Sequence, residues 1–121
     1  MADIKTSIQN CLKPDGAVGA ALVDFESGLC LATSGTPGFD LELAAAGNAE
    51  VVRAKKKIRD KLGIKDKIED ILITLDHQYH LIRMVGSNMF FYLVLTRDKA
   101  NLAMARRELA GIEKELEIER A

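Results

Sequence analysis

From Asp40 to Leu62 the sequence reads as one long helix, and its two halves differ in character. Between Leu41 and Val52, nine of twelve residues are apolar or glycine (Leu41, Leu43, Ala44, Ala45, Ala46, Gly47, Ala49, Val51, Val52), spread nearly all round the helical wheel. From Arg53 to Leu62 the apolar stripe narrows to Ala54, Ile58 and Leu62, and the remaining residues are charged. A helix that is apolar on all sides must be buried on more than one side. One side can lie on the chain's own sheet; the other needs a second partner.

The flanking segments supply that sheet. Residues 3–13 read as a short helix, with Ile4, Ile8, Cys11 and Leu12 on one face, Asp3 as its cap, and Pro14 with Gly16 as its stop. Ala17 to Phe25 is a small, apolar run of strand length, and Glu26-Ser27-Gly28 turns the chain into Leu29 to Thr33. Its small side chains would let something pack very close to the sheet. After Gly63 the apolar period becomes two, predicting strands at about 69–76, 79–86 and 89–96 joined as an antiparallel meander. A final amphipathic helix, about 99–119, is expected to start at an Asp98 cap, with Leu102, Ala105, Leu109, Ile112 and Leu116 on its core side. The order is helix, two strands, helix, three strands, helix. This predicts an α+β fold, a five-stranded antiparallel sheet flanked by helices, with residues 1–121 forming one domain.

Composition removes several function classes. The 17 basic and 18 acidic residues nearly cancel, unlike the basic excess of a nucleic-acid-binding domain. No apolar run approaches the ~20 residues that span a bilayer. The N-terminus lacks the basic-then-apolar order of a signal peptide, so a cytoplasmic protein without a transmembrane segment is expected. Cys11 and Cys30 make neither a disulfide framework nor a zinc quartet, and read as small buried hydrophobes. His77 and His80 have no ligand cluster at metal spacing. Gly16-Ala17-Val18-Gly19 opens a strand rather than a helix and lacks the Lys-Ser/Thr end of a phosphate loop. No catalytic residue, cofactor or metal is expected.

Charge is nevertheless patterned. Residues 53–67 carry eight basic side chains against Asp60 and Asp66, a net of +6, whereas residues 108–120 carry a net of −3. Such stretches are either solvated helix faces or docking surfaces. Arg53, Lys55, Lys56, Lys57 and Arg59 are the candidate partner-binding residues, facing an acidic protein.

Two features predict a homodimer. One is the over-apolar start of the long helix. The other is the strand around Ile71, Ile73 and Leu75, an edge of the meander with no Pro, Lys or Gly to protect it unless the 29–34 strand covers it. Pairing this edge with its symmetry mate would bring the two long helices together. The expected interface is Leu41, Ala44, Ala45, Asn48, Val52, Ile71, Ile73 and Leu75.

The order of elements and several local phrases resemble the roadblock/dynein light chain family. The matching phrases are Gly16 to Asp24 followed by Gly28 to Ala32, the Ala44-Ala45-Ala46 start of the long helix, and Leu93-Val94-Leu95 running into Asp98 to Leu102. The resemblance implies a profilin-like sheet sandwiched by helices, and homodimers or heterodimers built from the long helix and the third strand. It also implies a non-enzymatic scaffold or regulator that binds a small Ras-like GTPase and modulates its GTP hydrolysis. A dynein-type motor-associated light chain is another role the resemblance implies. A small-molecule sensor, or an enzyme using Cys30 or His80, has no motif behind it.

Overall fold

The computed structural model describes residues 2–116. Its elements are α1 (Ile4–Asn10), β1 (Ala17–Asp24), β2 (Leu29–Gly35), α2 (Leu41–Lys61), β3 (Asp70–Thr74), β4 (Gln78–Val85), β5 (Met89–Thr96) and α3 (Leu102–Glu115). The strands form one antiparallel sheet in the order β2-β1-β5-β4-β3. The expected α+β architecture and element order are therefore present.

Helices cover both faces of the sheet, which is why the central strand β5 is buried from Met89 to Leu95 without alternation. Side chains still alternate in direction. Phe91, Leu93 and Leu95 join Leu22, Leu81, Ile8, Ala105 and Leu109 in the core under α1 and α3. Phe90, Tyr92 and Val94 join Ala21, Val23 and Ile82 in the core under α2. The α2 backbone comes closest to β1 and β2, where Ala21 faces Ala45 and Ala49 and the small side chains permit close approach. Two ion pairs, Arg106–Asp70 and Arg83–Glu113, tie α3 to β3 and β4.

The α2 boundaries follow local chemistry. The Asp40 carboxylate accepts from the Leu43 amide at the start, and Gly63, at φ +70°, lies just past Leu62 at the end. The start of α3 corrects the sequence reading. The cap is Asn101, whose side chain accepts from the Met104 amide, and Asp98 lies in the preceding turn. That turn is held by the Lys99 and Ala100 amides on the Thr96 carbonyl, which keeps Asp98 out of the helix. The expected extension of α3 to Glu119 lies outside the described residues.

Where β2 ends, Gly35 has φ +88°, and a Cβ there would sit 2.4 Å from the Val18 carbonyl oxygen. Gly35→Ala therefore meets both a left-handed backbone and a rigid neighbour. It should cost about 1–3 kcal/mol, read as a lower denaturant midpoint with an unchanged m-value.

Candidate interaction surface

Helix α2 carries two apolar stripes. The first, Leu41, Ala45, Ala49 and Val52, is buried against the chain's own sheet. This corrects the expected interface: Leu41, Ala45 and Val52 are core residues of this chain and unavailable to a second copy. They lie within about 80° on the wheel, enough to meet one sheet face.

The second stripe is Leu43, Gly47, Val51, Ala54, Ile58 and Leu62, within about 100° of one another. Leu43 is 73% exposed, Val51 38%, Ile58 50% and Leu62 67%. It was visible in part, as the Ala54, Ile58, Leu62 repeat. Following that repeat backwards through Val51, Gly47 and Leu43 would have found it. Contacts identify the flank on which it lies. Arg53 donates to the Phe25 carbonyl and Lys56 sits 4.7 Å over the Phe25 ring, both just beyond the end of β1. Asn48, on the opposite flank, lies beside the Tyr92 hydroxyl of β5. On the helical wheel the exposed stripe lies nearer this second flank, the one beside β5.

Strand β3 forms that end of the sheet, and β2 sits at the other, so β2 does not cover it. The two edges differ. Leu22 pairs Ala32 and Val23 pairs Cys30, leaving Leu31 as an extra residue: a β-bulge that distorts the β2 edge. Strand β3 pairs regularly with β4 from Asp70 to Thr74 and offers a straight outer edge. Ile71 and Ile73 on it are half-buried and share the α2 side of the sheet with Ile82 and His80. Leu75, just past the strand, is exposed. Ala44 and Asn48 are half-buried on the adjoining flank of α2.

A polar relay lies beside this apolar surface. The Asn48 amide donates to the Ala44 carbonyl at 2.9 Å and lies beside the Tyr92 hydroxyl. The Tyr92 hydroxyl is 3.0 Å from His80 Nδ1, and His80 Nε2 is 2.9 Å from Gln78 Oε1. The Gln78 oxygen can only accept, so Nε2 carries the hydrogen and Nδ1 accepts from Tyr92. The Phe39 ring lies 5.9 Å from the imidazole. Burial holds the His80 pKa below its ordinary value and pushes Tyr92 up to about 12.

The basic half of α2 is partly committed to the chain itself. Arg53 and Lys56 hold Phe25, while Arg59 pairs Asp60 at 3.0 Å and donates to the Asp66 carbonyl. Lys55 and Lys57 are exposed. Phe25, Arg53, Lys56, Lys57 and Lys61 line an open groove of about 520 Å³ together with Glu26 and Asp60.

The remaining reactive side chains are quiet. Burial pushes the Cys11 thiol up to about 12 and also raises Cys30, so neither is a thiolate near neutrality. Among the described residues no cluster of His, Cys, Asp and Glu could hold a metal, and no helix is long and apolar enough to cross a membrane.

No known family's sequence model matches the chain, and no curated protein matches it either. Solved structures do. A Roadblock/LC7 domain from Streptomyces avermitilis superposes with a TM-score of 0.81 over 94% of each chain, at 16% identity. The chain has the roadblock fold. MglB of Myxococcus xanthus shares the roadblock arrangement at a TM-score of 0.80, with 18% identity over 93% of this chain and 92% of that one. The gliding protein MglB from Thermus thermophilus reaches 0.69, with 20% identity over 92% and 88% of the two chains.

Proposed function

We propose that residues 1–121 act as one roadblock-type domain, that two copies pair through β3 and the exposed stripe of α2, and that the cytoplasmic dimer is a non-enzymatic regulator of a small Ras-like GTPase. The observation that carries the pairing is the exposed stripe from Leu43 to Leu62 beside an unprotected strand edge. Together these leave apolar side chains exposed on α2 and at the β3 edge, as at an interaction site. Association buries both at once, whereas either one alone would leave the other in water. Ile71, Ile73 and Leu75 of the expected interface belong to this surface. Ala44 and Asn48 border it, and Leu43, Gly47, Val51, Ala54, Ile58 and Leu62 join it.

The GTPase reading rests on the roadblock fold, on the likeness to the gliding protein MglB, and on the basic half of α2. Lys55 and Lys57 present cations to an acidic partner, Lys56 and Arg53 line the groove beside them, and Arg59 is held on Asp60 and the Asp66 carbonyl. Such charge steers encounter more than it adds affinity. The chain would supply no catalytic group. Its effect on GTP hydrolysis would come from ordering the GTPase's own switch segments around the nucleotide.

Titration against a purified Ras-like GTPase from the same organism, loaded with GTP or GDP, tests this reading. Nucleotide-dependent binding is expected. Reversing Lys55, Lys56 and Lys57 to Glu should weaken it at least about tenfold at low salt, mainly through a slower association rate. Unchanged affinity would return those lysines to simple solvation, and binding to neither nucleotide form would remove the GTPase.

A further inference from the structure

The relay through His80 has a direction, and that direction depends on one proton. With the imidazole neutral, the hydrogens run in one direction: Asn48 to Ala44, Tyr92 to His80 Nδ1, and His80 Nε2 to Gln78. If Nδ1 also gains a hydrogen, it points at an oxygen that already carries one. The Tyr92 hydroxyl must then turn away, and Tyr92 is fully buried. Its other neighbour, the Asn48 side chain, is held by its nitrogen on the Ala44 carbonyl and could receive that hydrogen only by turning its oxygen inward and giving up that bond. Otherwise an unsatisfied buried donor is left behind.

Among the described residues, none of the hydrogen-bond or ring partners of His80 is a carboxylate that could offset the new charge. The elements around His80 contribute Gln78 from β4, Tyr92 and Val94 from β5, Ile73 from β3, Asn48 from α2 and Phe39 from the segment before it. The acidic side chain nearest in sequence to Phe39 is Asp40, and it is engaged by the Leu43 amide. The nearest cation on the same flank of α2, Lys55, lies about 10 Å along the axis from Asn48 and would only repel.

We propose that His80 makes the pairing of two copies pH-sensitive: the neutral ring closes the seam and the protonated ring opens it. This rests on the dimer proposed above, since His80 sits directly opposite Ile73 on the strand next to the β3 edge. A second copy at that edge removes the water still reaching the half-buried ring. A group whose pKa is depressed in the closed state contributes above its ordinary value, and the contribution disappears as pH falls through the depressed one. Association is therefore tightest above neutrality and weakens on acidification.

Sedimentation velocity at pH 7.5 and 5.5 on the native chain and on His80→Gln tests this. Because each dimer holds two such rings, the native dissociation constant should rise up to about a hundredfold for each unit by which pairing lowers the ring's pKa. His80→Gln, which keeps a donor and an acceptor but cannot titrate, should dimerise equally at both values. A native dimer equally tight at both pH values overturns the switch and leaves the dimer standing. A variant that weakens with acid as much as the native chain also overturns it, assigning the effect to another group such as His77. A monomer at pH 7.5 removes the dimer itself, and the switch with it. If the variant fails to fold, proton NMR of the native chain decides: the His80 pKa must be higher in dilute than in concentrated samples, and equal values overturn the proposal.

Discussion

Ile73→Lys should convert the dimer into a folded monomer, with self-association weakened at least about a hundredfold by light scattering and the far-UV spectrum unchanged. Ile73 is half-buried on β3, opposite His80 and outside the fully buried core, so one chain tolerates the change. Pairing does not, because it would draw a cation from each copy into an apolar seam. Lysine is also the residue with which natural sheets commonly block an edge. Leu31→Lys on β2 is the matching control, because the bulge there already spoils the edge. If the Ile73 variant runs as an unchanged dimer, β3 is not in the interface.

Two neighbouring valines should behave oppositely. Val52 is fully buried in the core under α2, and Val51 points out along the exposed stripe. Val52→Asp places a carboxylate where no partner exists and should cost about 4 kcal/mol or more, against a typical total of roughly 5–15 kcal/mol. Loss of the folded state at 37 °C is the expected result. Val51→Asp should leave the unfolding midpoint of the monomer nearly unchanged and abolish the dimer. Equal effects at both positions would mean that α2 is rotated from the orientation described.

Most of the fold is legible in the chain because its punctuation is local. Asp40 and Gly63 bracket α2, Pro14 and Gly16 close α1, and the two-residue period marks β3 to β5. Where local signals compete, tertiary contacts decide. Asp98 and Asn101 are both good caps, and Asn101 wins because the turn at residues 96–100 is pinned, with the Thr96 amide on the Gly16 carbonyl.

The rotation of α2 is not legible for a different reason. With apolar residues all round its first half, Leu41-Ala45-Ala49-Val52 and Leu43-Gly47-Val51-Ala54 are equally good core stripes. Only contact with β1 selects the first. The charged half does hold the missing clue, since the stripe that continues to Ile58 and Leu62 is the outward one. The polar relay had weaker signals still. Gln78 and His80 share a strand face by their spacing of two, but Tyr92 reaches them only through the β4–β5 register.

The unequal rims of the sheet also limit how far these molecules can grow. Among the described residues each copy presents one smooth border at β3 and one kinked border at Leu31, so the proposed union across a two-fold axis would use up the smooth border of both copies. The ten-stranded ribbon of the proposed dimer would end in kinks on both sides. Assembly of that kind would be self-terminating, leaving no smooth border to seed a fibre.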